Sequence, residues 1–167
     1  QSFNKDSLKA VKRRNMSDED MKEAVKWAHM HGMKTSSELI FGLPYETKQS
    51  CLNSLEFIME NKIDTVSIAQ LFLLKGMELG RSSERERFKL FTKFRPASYP
   101  LYDIIDDEFV CEREEVVVSS SHFSFDDYMY IRKISFVFNV INQYEYYKKA
   151  FDYLIKQGKK IVPLLGS

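Results

Sequence analysis

Glu38-Leu39-Ile40-Phe41-Gly42-Leu43-Pro44-Tyr45-Glu46-Thr47 is the stretch on which the fold turns. Residues 34–41 have the length and composition of a strand, and Gly42-Leu43-Pro44 closes it, because glycine permits unusual φ and proline limits the exit. Thr47 then reads as a helix N-cap, with Glu46 near the positive end of the helix dipole. The helix it starts runs to about residue 61, with Leu52, Leu55, Ile58 and Met59 on one face. Residues 64–74 follow as a mostly apolar strand of the kind buried on both faces, ending before Gly76. Strand, helix and strand joined by such short connections predict a parallel β/α unit, either an open sheet or a barrel.

Working outward, Asn4 is placed to cap a helix over residues 5–13, with Lys12-Arg13-Arg14 at the end where the dipole favours cations. Ser17-Asp18-Glu19-Asp20 resembles a capping box, and Met21, Ala24, Val25 and Ala28 recur at helical spacing before Gly32. Past Gly80 the pattern changes. Residues 81–95 are charge-rich and read as partly helical, residues 96–107 as an irregular connection, and residues 109–119 as a strand around Val116-Val117-Val118. Ser124-Phe125-Asp126-Asp127 is a further N-cap signature, ahead of a helix carrying Tyr128, Ile131, Ile134, Phe138 and Ile141. A last helix spans residues 145–156 before Gly158, and the aromatic run from Tyr144 to Tyr153 falls at helical spacing, as core or interface.

Lys and Arg number 25 against 24 Asp and Glu, so no charge excess argues for nucleic acid or an anionic membrane. The longest apolar run, residues 66–74, is broken by Ser67 and Gln70 and falls short of the ~20 residues a membrane span needs. A soluble, cytoplasmic protein is expected. Cys51 and Cys111 lie far apart and outside any CxxC or Cys/His spacing, which gives a cysteine-ligated metal centre no basis within the chain. His29 and His31 lack a third ligand at metal spacing, and His122 precedes a helix start with no partner evident in sequence. The abrupt opening at Gln1-Ser2-Phe3-Asn4 reads as a piece of a longer polypeptide.

Three segments in order, residues 1–13, residues 38–47 and Leu71-Phe72-Leu73-Leu74-Lys75-Gly76-Met77-Glu78-Leu79, resemble the second half of the radical S-adenosylmethionine (SAM) core. The resemblance covers about residues 1–80 and implies an α/β fold. Strands four to six of a partial parallel (β/α) barrel of the TIM type would be followed over residues 81–167 by a mostly helical extension with a short strand. Such enzymes hold a 4Fe-4S cluster through CxxxCxxC and cleave SAM reductively to a 5′-deoxyadenosyl radical. No CxxxCxxC occurs here, so the cluster ligands are expected in a missing N-terminal half of the same polypeptide, and this chain alone is expected to be inactive. The Glu114–Val118 strand and the following helix resemble the C-terminal extension of some cobalamin-binding radical SAM proteins, which implies cobalamin in the parent and methyl transfer as the reaction. A coproporphyrinogen-oxidase-like branch, and a non-catalytic binding or scaffold piece that lost the cluster site, stay open beside it.

The resemblance also implies the site. The positions matching Gln1 and Glu38 hydrogen-bond the SAM ribose region, the one matching Arg13 contacts the SAM carboxylate, and Gly42-Leu43-Pro44 presents its surface to the adenine. Chemistry suits these roles, since a carboxylate accepts from vicinal hydroxyls and a guanidinium fork fits a carboxylate. Two positions depart from the coproporphyrinogen-oxidase pattern. Glu38 stands where aspartate is usual, and Leu74-Lys75-Gly76-Met77 replaces Leu-Pro-Gly-Thr. The substrate is expected to be a small molecule or a peptide.

Overall fold

A computed structural model describes residues 2–97, 101–142 and 145–166. The first helix, α1 (Lys5–Ala10), is capped by Asn4, whose side chain accepts from the N–H groups of Asp6 and Ser7. Helix α2 (Asp18–Met30) begins at Ser17, whose hydroxyl accepts from the Asp20 N–H. Strand β1 (Ser36–Phe41) then leads through the Gly42 turn into α3 (Lys48–Glu60), where Thr47 and Ser50 cap each other reciprocally. Strand β2 (Thr65–Gln70) returns parallel to β1, with Leu39 opposite Ile68 and Phe41 opposite Gln70.

Here the chain departs from the half-barrel expected from the sequence. Among the described residues β1 and β2 form the one parallel pair, and the other ladders are antiparallel. The cause lies in the connections. A parallel neighbour needs a long crossover, such as α3 provides between β1 and β2. After β3 (Phe72–Leu73), by contrast, the chain runs through a 3₁₀ turn at Glu78–Gly80 and the short helix α4 (Ser82–Phe88) into β4 (Phe91–Pro96). It reverses through the hairpin of β5 (Tyr102–Ile105) and β6 (Glu108–Cys111), and β7 (Arg113–Ser119) comes back antiparallel between β3 and β4. Leu71 splices the two sheets, donating its N–H to Phe41 O and accepting from Val117 N–H.

One face of this mixed sheet is covered by α2, α3 and α5 (Phe125–Asn142), which bury Leu39, Phe41, Leu55, Ile58, Val116, Val118, Ile131, Ile134 and Phe138 in one core. On the other face Leu43, Leu71, Leu73, Leu79, Phe88 and Val117 form a smaller cluster, with Val11 and Ile40 at its margin. Arg85 of α4 forks onto Glu115 of β7 at 2.6 and 2.7 Å, and the Thr92 hydroxyl adds a bond of 2.6 Å to the same carboxylate. This clamp ties α4 to the sheet and holds Glu115 below the usual carboxylate range, chiefly through the hydrogen bonds from Arg85. Helix α6 (Glu145–Lys156) and a 3₁₀ turn at Val162–Gly166 complete the described chain, with Tyr147 and Tyr153 exposed and Tyr144 outside the described residues. No helix among the described residues is long and apolar enough to cross a membrane.

Candidate functional site

The turn after β1 is built around a residue that sequence reasoning assigned only to the helix start. Gly42 sits at φ +89°, and Tyr45 is left-handed at φ 63°, so the chain folds back sharply between strand and helix. Such a turn leaves backbone N–H groups in need of acceptors. Glu46 supplies them. Its Oε2 accepts from Gly42 N–H at 2.9 Å and Leu43 N–H at 3.3 Å, while Oε1 accepts from the Ser2 hydroxyl at 2.8 Å. The carboxyl is fully buried, and burial pushes its pKa up to about 7 against the pull of these three bonds. Cys51, one turn into α3, is also buried, and desolvation followed by the nearby Glu46 charge pushes its thiol far up, so it remains protonated.

Glu46 therefore joins three pieces of chain, the Ser2 segment, the turn and the start of α3. Only its place just ahead of the N-cap was readable in the sequence. Thr47 already serves as N-cap, so Glu46 stands outside the helix, three or four residues after a glycine turn whose donors face inward. Thr47 is the N-cap, as expected, with Ser50 as its reciprocal partner, and Glu46, one residue before it, serves the turn as acceptor.

The residues expected at the site are distributed differently. Gly42, Leu43 and Pro44 are buried, with the Leu43 side chain inside the smaller apolar cluster, so the turn offers its backbone path more than side-chain surface. Glu38 is exposed on the open face of β1, opposite Ser67, and no hydrogen-bond partner is found for it among the described residues. Arg13 is also exposed and borders a cleft of about 840 Å³ lined by residues between Phe3 and Glu19. Glu38 and the Gly42–Pro44 turn do not line that cleft. Gln1 lies outside the described residues.

Glu38 does not line the cleft that Arg13 borders, so the described residues do not bring the carboxylate and the guanidinium expected at one ligand into one cleft. An iron–sulfur cluster fits nowhere in the described chain, since Cys51 is enclosed beside Glu46, Cys111 lies on the β5–β6 hairpin, and no group of three or more potential ligands converges among the described residues. What the residues define is a strand-to-helix turn at the carboxyl end of a parallel strand pair, braced by a buried carboxylate. Protein YhcC of Escherichia coli strain K12 and the uncharacterized protein YhcC of Escherichia coli O157:H7 are each 35% identical to the chain over 60 residues. The match takes in 36% of this chain and 19% of either relative, so the chain spans about a fifth of their length. No family model matches the chain.

Proposed function

We propose that this chain forms one wall of an S-adenosylmethionine site in a radical SAM enzyme. The observation that carries the proposal is the Glu46-braced Gly42–Leu43 turn at the carboxyl ends of β1 and β2, since ligands of α/β units bind outside the carboxyl ends of parallel strands. Glu38 accepts the ribose hydroxyls, the Arg13 guanidinium pairs with the amino-acid carboxylate, and the turn backbone borders the adenine. Bound SAM supplies a 5′-deoxyadenosyl radical on reduction. The second wall, with the cluster cysteines, belongs to a segment outside this chain, and cobalamin and methyl transfer rest on the likeness of the C-terminal part alone.

Loss of a hydrogen bond to a charged group costs ~1.5–3 kcal/mol, roughly a tenfold to hundredfold change in affinity. In the full-length parent, Glu38→Ala is accordingly expected to raise the Kd for SAM by about tenfold or more, measured by titration calorimetry, with the cluster absorbance unchanged. Equal affinity in parent and variant would remove Glu38 from the site and the proposal with it.

A further inference from the structure

The β5–β6 hairpin prolongs the β4–β7 ribbon, through Ala97 N–H to Glu112 O and Glu112 N–H to Leu101 O, and stands away from both apolar clusters. Its register puts Tyr102, Cys111, Ile104 and Phe109 on one face, with the Tyr102 and Phe109 rings 6.2 Å apart. That face is uncovered, with Tyr102 at 72%, Ile104 at 69% and Phe109 at 71% exposure. The opposite face pairs Asp103 with Val110 and Ile105 with Glu108, all exposed, and the tip carries Asp106 and Asp107. Residues 101–112 hold five acidic side chains and no Lys or Arg. An isolated two-stranded hairpin is marginal in water, so an arm that leaves Tyr102, Ile104, Ile105, Phe109 and Val110 exposed lacks the packing that would stabilise it.

The cleft over α1 and the segment after it is its chemical complement. Phe3, Leu8 and Met16 give it apolar surface, and Lys5, Lys9 and Arg14 give it cations that outnumber its acids, Asp18 and Glu19, while Lys12 on the same wall is held by Glu78 at 2.8 Å. The arm carries no cation and the cleft an excess of them, so the two are complementary in charge as well as in apolar surface. We propose that the β5–β6 arm of one copy docks in the α1 cleft of a second copy, with Tyr102, Ile104 and Phe109 inward and the tip aspartates, Asp106 and Asp107, against Lys5, Lys9 and Arg14. Exchanged reciprocally, the contact closes a two-fold dimer; unreciprocated, it propagates head to tail.

Light scattering on the chain at tens of micromolar is expected to give a mass above the 19.7 kDa of one copy, falling as salt is added. Ile104→Lys with Phe109→Lys removes the arm's apolar face, and Lys9→Glu with Arg14→Glu reverses the cleft. Both pairs lie at exposed positions, and circular dichroism checks that each variant is folded. Each variant alone is expected to self-associate at least tenfold more weakly. Mixed together they are expected to form a one-to-one complex, because one keeps its cleft and the other its arm. A monomeric wild type overturns the proposal, as does a cleft variant that assembles as tightly as wild type, or a mixture that stays monomeric.

Discussion

Glu46 holds a carboxyl where a charge is least favourable and where three donors nevertheless need an acceptor. Burial dominates, and its pKa of about 7 lies above the 4.5 of an ordinary glutamate. The folded state therefore takes up the proton more readily than the unfolded chain between those two values. The sign follows directly: this contribution to stability is fully present below about pH 4.5 and is lost as pH rises through about 7. A difference of that size corresponds to roughly 3 kcal/mol. Glu46→Gln keeps the shape and an acceptor for Gly42 and Leu43 but cannot ionise. Its melting temperature is expected to change less between pH 5 and pH 8 than that of wild type, by scanning calorimetry in matched buffers. Identical pH slopes would mean that the Glu46 side chain is solvated in the folded protein. The caps at Asn4, Ser17 and Thr47 were legible in sequence because each acts within three residues of itself. Glu46 was not, because one of its partners, Ser2, lies 44 positions away and its burial is a property of the packed chain.

At the scale of elements, the same distinction separates what local pattern reveals from what packing decides. Helix α4 ends at Lys89, left-handed at φ 51°, without the glycine that would announce a stop, and β4 lay hidden in a charge-rich run. The β5–β6 turn uses Asp106 and Asp107, both at positive φ, where Asn-Gly would have marked a hairpin plainly. Helix α3 carries a further long-range device. Glu56, one turn after Leu52, is buried and accepts from Ile161 N–H at 3.0 Å and Val162 N–H at 3.1 Å, anchoring the start of the last 3₁₀ turn. Removing the acceptor leaves two buried donors unsatisfied, at ~1–3 kcal/mol each. In Glu56→Ala the amide protons of Ile161 and Val162 are expected to exchange with solvent at least tenfold faster, by hydrogen-exchange NMR, while those of β1 and β2 keep most of their protection. Unchanged exchange at both amides would show that apolar packing of Ile161 and Val162 alone holds the turn.

For the whole molecule, the parallel β1–β2 unit was legible because α3 is a complete crossover written in a short span, whereas the antiparallel return of β7 depends on a ribbon whose turn chemistry is weak in sequence. The consequence is that residues 1–80 do not own their core. Leu39, Phe41, Leu55 and Ile58 are buried against a set that includes Val116, Val118, Ile131, Ile134 and Phe138, and Leu71 and Leu73 against Phe88 and Val117. Fully burying an aliphatic or aromatic side chain stabilises by ~1.5–3 kcal/mol. Losing the partners of even five such residues removes an amount comparable to the whole ~5–15 kcal/mol by which a domain is stable. A chain ended after Gly80 is therefore expected to lack cooperative thermal unfolding and dispersed amide resonances, while the 167-residue chain shows both. Adding residues 81–167 as a separate polypeptide is expected to restore dispersion, since β7 and α5 would again cover the sheet. A truncated chain that melts cooperatively by itself would show that α2, α3 and the two parallel strands close a sufficient core without them.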